Sequence, residues 1–315
     1  MKRINCMISC LCALMALLSC SSQKVMSPNG KLSLARNGEA YVVNYHGTPV
    51  LNIKAEGFEG VKADAKKTIA FSRHVNEDYT MLSGKRLHCT NEANEYRVAL
   101  DEKTALVWRL YNDGVAFRYE LKGLNGEGIP HEVTSYKIPE GTTRWMHPWH
   151  LSYEDFFPEA TTGESKNRHW CYPALLEPQK GVFALISEAG LERNQSASSL
   201  RNDTDVETFR VVPDKNDVTP LDNWHTPWRV AIVGELADLV ESTLVNDLSA
   251  PCRLTDTEWI EPGVVSWIYW AHNHGSNDYN IIRKYVDMAA ELRLPYVLID
   301  AEWDEMKDGK TIEDA

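Results

Sequence analysis

The chain has 315 residues, of which 43% are hydrophobic and 10% aromatic, as in a globular protein with a large core. This length allows one large domain or two ordinary ones. The formal net charge of -12 comes without a basic stripe, which excludes nucleic acid as an expected partner and favours neutral or cationic ligands. Ten tryptophans suit either a buried β core or a surface on which sugar rings stack.

The first twenty residues have the features of an export signal. Two basic residues precede an apolar run over 7–18, which is too short to span a bilayer. The segment Leu17-Leu18-Ser19-Cys20 then resembles a bacterial lipobox. We predict a lipoprotein signal peptide over 1–19, a lipid anchor at Cys20 and a tether over 20–26. This places the protein in the periplasm or outer membrane of a Gram-negative bacterium, and an ordinary cleaved signal is the alternative.

Residues 27–257 read as short strands separated by turns. Alternating apolar and polar residues flank Asn37-Gly38, a pattern typical of a β-hairpin. Further runs of the same kind cover 95–100, 105–111, 115–121, 181–187 and 228–233. No helical periodicity of useful length precedes Glu235. The pattern predicts a mainly β fold, with an antiparallel super-sandwich of extended, paired sheets over 27–257.

The pattern changes after a short predicted helix over 236–246 and a linker that ends near Thr257. An apolar strand over 264–270, a helix over 279–292 and a second apolar strand over 295–303 form one β-α-β unit. Asn277 or Asp278 can cap the helix. We therefore predict that 258–315 is the start of a (β/α)8 barrel, incomplete because one such unit cannot close eight strands.

Asp300, Glu302 and Trp303 end the second strand, where parallel sheets bind ligands. Two residues apart on a strand, the carboxylates would point the same way. Glycosidases need two carboxyl groups about 5–5.5 Å or about 6.5–9.5 Å apart across the scissile bond. A structural role in hydrogen bonding is the favoured interpretation of the pair. Trp303 suits either a sugar-stacking platform or a rim aromatic.

Glu188 follows an apolar strand and could be one oxygen ligand of a Ca²⁺ ion. A single carboxylate is not a site, so a solvated or salt-bridged edge residue is the simpler interpretation. Two histidine pairs, His147 with His150 and His272 with His274, have spacings that allow chelation, but each pair has no third ligand. The sequence has no Gly-x-Ser-x-Gly elbow and no His-Glu-x-x-His motif, which argues against a serine hydrolase or a zinc protease.

Segments distributed in order over the chain resemble glycoside hydrolase family 97, the bacterial α-glycosidases. They are Ser27–Gly30, Tyr153-Glu154, Tyr172–Leu176, Ile186–Leu191, Thr226–Gly234, Pro262-Gly263, Trp267, Trp270, Lys284–Ala290 and Tyr296–Trp303. The resemblance implies a β-super-sandwich, a (β/α)8 barrel and an active-site Ca²⁺ to which the sandwich supplies one Glu, matched here by Glu188. The second barrel strand of the family usually ends Asp-x-Gly-Trp, and here Glu302 stands at the Gly position.

The resemblance also implies a function. The family contains inverting α-glucosidases and retaining α-galactosidases, whose catalytic carboxylates lie on later barrel strands. We therefore expect an oligosaccharide-binding, N-terminal piece of an α-glycosidase that shows no turnover by itself. A non-catalytic carbohydrate-binding or vestigial envelope protein is the alternative. The choice between glucoside and galactoside, and the oligomeric state, stay open at this point.

Overall fold

The computed structural model describes residues 23–61, 68–81, 83–124, 128–161, 166–214, 221–307 and 309–314. The predicted signal peptide and Cys20 lie outside these residues. The chain divides into two compact units, one up to Ala250 and one from Pro251 onward. No helix in the described ranges is long and apolar enough to cross a membrane.

The first unit is built from antiparallel strands. Within its described part they are β1 (Lys24–Met26), β2 (Leu32–Asn37), β3 (Ala40–Tyr45), β4 (Thr48–Phe58), β5 (Ala70–Thr80), β6 (His88–Ala99), β7 (Thr104–Tyr111), β8 (Gly114–Leu121), β9 (Glu132–Lys137), β10 (Thr143–Pro148), β11 (Glu159–Thr161), β12 (His169–Gln179), β13 (Val182–Ala189), β14 (Ser198–Arg201), β15 (Thr208–Pro213), β16 (Trp224–His225) and β17 (Trp228–Gly234). The predicted hairpin joins β2 to β3, and Gly38 adopts a φ of +60° that glycine tolerates without strain. The mainly β fold is confirmed.

The strands form two runs of hydrogen-bonded neighbours. One run follows β1-β2-β3-β4-β9-β15-β14. The other follows β5-β6-β7-β8-β17-β13-β12-β10-β11. Strand β12 belongs to both runs, because His169 and Trp170 pair with β14 while Ala174 to Leu176 pair with β13 and β10. The two sheets are therefore joined through this one strand.

The core lies between the two runs. One buried cluster combines Leu34, Tyr41 and Ile53 of the first run with Trp108 and Phe117 of the second. The Trp108 ring centroid lies 4.9 Å from that of Tyr41 and 4.6 Å from that of Phe117. Because side chains alternate along each strand, one face of each sheet supplies this shared core.

A second buried cluster lies under two short helices, α1 (Leu236–Glu241) and α2 (Leu244–Asp247). Leu239 and Leu244 pack there with Val230 and Ile232. Because Ala231 and Val233 belong to the first cluster, every residue of β17 is buried. The sequence predicted one helix over 236–246, and this was wrong. Ser242 ends α1 with an extended ψ of 135°, and its hydroxyl accepts from the amide of Leu244 at 3.2 Å.

The second unit contains β18 (Val265–Trp267), α3 (Tyr279–Leu292) and β19 (Tyr296–Leu298). The two strands pair in parallel, with Val265 opposite Tyr296, so the predicted β-α-β unit is confirmed. Asp278 caps α3 by accepting from the amides of Asn280 and Ile281. Of the two candidate caps, the residue that immediately precedes the helix is the one used.

Both strands are shorter than predicted. The second ends at Leu298, and Asp300 and Glu302 lie beyond it with φ values of +77° and +66°. These are left-handed conformations, which extended strands do not contain. The argument that the two carboxylates share one face of a strand was therefore wrong, and their placement depends on the turn that follows β19.

Candidate functional sites

Glu188 lies on β13 opposite Arg229 of β17. Its Oε2 accepts hydrogen bonds from Nη1 of Arg229 and from the hydroxyl of Ser198, both at 2.7 Å. Its Oε1 accepts from the backbone amide of Ser198 at 3.1 Å. The side chain is 15% exposed. A carboxylate oxygen has two lone pairs, so Oε2 is fully used and Oε1 retains one.

Arg229 connects Glu188 to a second carboxylate. Its Nε and Nη2 donate to the two oxygens of Glu132 at 3.0 and 2.5 Å, a bidentate arrangement. The Arg229 side chain is only 2% exposed. Burial by itself lowers the pKa of Arg229, but the charges of Glu132 and Glu188 raise this pKa above its ordinary value. The cluster is therefore a buried guanidinium between two carboxylates.

The residues around Glu188 do not by themselves fit a Ca²⁺ ion. Calcium takes six to eight oxygen ligands, and a guanidinium 2.7 Å from the carboxylate repels a cation. The described ranges contain no group of three or more His, Cys, Asp or Glu side chains that could hold a metal. Glu188 is an ion-pair partner inside the β domain, so the predicted salt bridge is confirmed. The predicted edge position was wrong, because β13 pairs with both β12 and β17. The calcium role of Glu188 stays a prediction.

The other predicted site residues follow β19 in the second unit. Asp300 accepts from the indole Nε1 of Trp267 at 2.6 Å through Oδ2, and from the amide of Ala301 at 2.7 Å through Oδ1. The rings of Trp267 and Trp270 lie 4.5 Å apart between centroids. Trp270 is 82% exposed and Trp303 is 50% exposed. The end of the parallel pair thus combines a fixed carboxylate with accessible aromatic surface.

Glu302 is held by two side chains from the segment that follows β18. Its Oε1 lies 2.6 Å from Nδ1 of His274, and its Oε2 accepts from Nδ2 of Asn277 at 3.1 Å. Each oxygen keeps one lone pair for a ligand. The sequence considered His274 only as half of a weak metal pair with His272, whose ring instead packs edge-on against Tyr285.

The other histidine pair also has local structural contacts. His147 accepts from the amide of Asp155 through Nε2, and His150 hydrogen bonds to Ser152.

Sequence reasoning did not identify Trp267 or Asn277 as site residues. The available signal was topological, since both lie at or after the end of β18, and adjacent parallel strands end at the same edge.

The described residues thus combine a large antiparallel β domain with a parallel β-α-β unit whose strands are followed by carboxylates and tryptophans, which is the class of fold that the comparisons can test. The sequence model named Glycosyl-hydrolase 97 N-terminal matches residues 25–251. The chain therefore belongs to glycoside hydrolase family 97.

Two curated relatives carry enzyme names. A probable retaining alpha-galactosidase of Streptomyces bingchenggensis is 31% identical over 262 residues, which cover 80% of this chain and 40% of that protein. A retaining alpha-galactosidase of Bacteroides thetaiotaomicron is 26% identical over 245 residues, covering 62% of this chain and 36% of that protein. The chain thus spans less than half the length of either relative.

Solved structures show the same fold. A family 97 enzyme of Pseudoalteromonas sp. strain K8, solved with acarbose, has a TM-score of 0.71 at 24% identity, covering 91% of this chain and 48% of that one. A beta-arabinopyranosidase structure has a TM-score of 0.70 at 24% identity, covering 91% and 52%. At this identity the similarity establishes the fold alone.

Proposed function

We propose that this chain takes part in the hydrolysis of α-glycosidic bonds and that its own contribution is to bind sugar after β18 and β19. The names of the two curated relatives support the reaction and favour α-galactosides over α-glucosides. The structure of a family member with acarbose, together with another with panose, supports an oligosaccharide as the ligand.

The observation that carries the proposal is the placing of Asp300 and Glu302 beside exposed tryptophans. Sugar hydroxyls donate to carboxylates, and the apolar faces of sugar rings pack on indoles. Both carboxylates already accept from neighbours in the second unit, and Trp303 is half exposed. Fixed acceptors of this kind bind and orient a ligand. The described residues are therefore assigned to binding, and no proton-transfer step is assigned to them.

Calorimetric titration of the chain with melibiose and with maltotriose tests this proposal. We expect weak binding that favours melibiose and that falls about tenfold in Asp300→Asn and in Trp303→Ala, because each removes one recognition element. Trp259→Ala, which removes another exposed tryptophan of the same unit, is the matched control. Absence of saccharide binding would contradict the proposal, and so would a loss of affinity in Trp259→Ala equal to the loss in the two site variants. Turnover of nitrophenyl α-galactoside by the chain alone would overturn the assignment to binding without catalysis.

Calcium and export complete the proposal. We propose that any Ca²⁺ held by this protein takes most of its ligands from outside the described residues, with Glu188 offering the one remaining lone pair of Oε1.

The proposal of export and of lipid anchoring at Cys20 is supported by the lipobox alone. Incorporation of labelled palmitate in a Gram-negative host, abolished by Cys20→Ser, is the expected result, and unlabelled wild-type protein would contradict it.

A further inference from the structure

We propose that Glu302 determines the specificity of the sugar site and that His274 and Asn277 are its positioning residues. Together they make the site selective for neutral over anionic saccharides. The selectivity part of this inference rests on the proposed function, whereas the positioning part concerns the second unit alone.

The backbone at Glu302 is the first observation. Its φ of +66° lies in the left-handed region, where side chains bearing a Cβ are strained and glycine is not. A charged residue in a strained conformation persists only where surrounding contacts hold it, and such residues concentrate at functional sites.

The contacts that hold Glu302 are the second observation. His274 approaches one carboxylate oxygen at 2.6 Å, and Asn277 donates to the other at 3.1 Å. His274 itself adopts a φ of +60°. The two residues lie in the segment between β18 and α3, so the pair of contacts ties that segment to the turn after β19.

Asn277 supplies an independent sign of a ligand. The residue is 8% exposed, and its Oδ1 has no hydrogen-bond partner in the described structure. Buried acceptors are almost always paired, so an unpaired one on a side chain that donates to the Glu302 carboxylate marks a place for a donor. A sugar hydroxyl is a donor of this kind, whereas a carboxylate or sulfate group offers none.

Charge gives the direction of selectivity. A glycine at position 302 would leave Asp300 as one carboxylate at this point, whereas Glu302 adds a second. Residues 251–315 contain thirteen acidic and six basic side chains, so their overall charge is also negative. Like charges brought together at a binding surface cost binding free energy. The site should therefore reject acidic sugars and accept neutral ones.

The positioning part is tested by hydrogen exchange at the amides of Glu305 and Lys307, which donate to the backbone carbonyls of Glu302 and Asn277, both at 3.0 Å. Glu302→Ala keeps the strain and loses both contacts, whereas Glu302→Gly loses the contacts and the strain. We expect these amides to exchange roughly fivefold faster in the alanine variant than in the glycine variant. His274→Ala should also accelerate exchange, and His274→Asn should largely restore it because asparagine tolerates the left-handed region and offers a donor. Equal exchange in the alanine and glycine variants, or no effect of His274→Ala, would overturn the positioning role.

The selectivity part is tested by titrating the chain with melibiose and with digalacturonic acid. Wild-type protein should bind the neutral disaccharide at least about tenfold more tightly. Glu302→Gln and Glu302→Gly should narrow this ratio several-fold, while Glu305→Gln, which removes a nearby exposed carboxylate, should not. An unchanged ratio in the Glu302 variants would overturn the specificity role. Binding of neither disaccharide by the wild type would overturn selectivity together with the proposed function, while the exchange experiment would still decide the positioning role.

Discussion

The two units hold their carboxylates in opposite ways. In the β domain, Glu188 accepts from the buried guanidinium of Arg229 and from the hydroxyl of Ser198, and these two donors together use both lone pairs of one oxygen. In the second unit, an indole of Trp267 orients Asp300, and a histidine with an amide orients Glu302, which is 31% exposed. A buried cationic partner makes a carboxylate part of the framework. Neighbours that take only one lone pair of each oxygen fix the direction of a carboxylate and leave it able to accept from a ligand.

The largest effect should come from breaking the buried cluster. Arg229→Met leaves two carboxylates buried without a cation, and we expect a loss of about 3–5 kcal/mol in the free energy of unfolding, measured by urea denaturation. Arg210→Met is the matched control, because the pair of Arg210 with Asp203 is partly exposed and should contribute about 1 kcal/mol or less. Similar losses of unfolding free energy in both variants would show that the buried cluster stabilises the protein no more than the surface ion pair does.

A smaller effect should follow from removing the indole donor in the second unit. Trp267→Phe keeps an aromatic ring but loses the 2.6 Å hydrogen bond to Asp300, for which about 1.5 kcal/mol is expected. Faster hydrogen exchange at the amide of Ala301, which donates to the same carboxylate, reports the loss. In the control, Trp259→Phe, an exposed indole is removed and exchange at Ala301 should not change. Unaltered exchange in Trp267→Phe would show that the indole does not orient the carboxylate.

Acid should weaken the β domain through its paired carboxylates. Burial raises the pKa of Glu95, but hydrogen bonds from Arg73 and Arg109 more than offset this and lower the pKa below its ordinary 4.5. The stabilisation is therefore complete above about pH 4.5 and is lost as the pH falls through the lowered value. Glu95→Gln should flatten that part of the curve of unfolding free energy against pH, whereas Glu39→Gln, on an exposed side chain, should not. Parallel curves for wild type and Glu95→Gln would contradict this.

The smallest expected effect is that of calcium. Because Glu188 offers one lone pair beside a guanidinium, Ca²⁺ at about 1 mM should not raise the melting temperature of this chain. Mg²⁺ at the same concentration controls for ionic strength. A rise specific to Ca²⁺ that disappears in Glu188→Gln would show that the carboxylate serves as a metal ligand despite its ion pair.

Local patterns in the sequence predicted the regular elements well. The alternation in β2 and β3 and the stripe and cap of α3 are properties of neighbouring residues, which explains why the predicted helix 279–292 matches the structure. The end of β19 was predicted too late, because left-handed conformations at Asp300 and Glu302 have no glycine to signal them. The sequence showed that Glu302 departs from the family pattern, but only the backbone conformation showed that this residue is strained.

Side-chain contacts between distant residues could not be predicted. Glu132 and Arg229 are separated by 97 positions, and Glu302 and His274 by 28, so no periodicity links them. Only the pairing of β13 with β17 brings Glu188 to Arg229. The sequence therefore identified four candidate site residues but none of their contacts. They are Glu188, Asp300, Glu302 and Trp303.

The strand common to both sheets has a mechanical consequence. Because β12 is hydrogen bonded to β14 near its start and to β13 and β10 further on, separating either sheet from the other requires rupture along this strand. Under a pulling force the first unit should consequently give way in a single cooperative event, and two separate rips in a force–extension trace would show that the sheets fail independently.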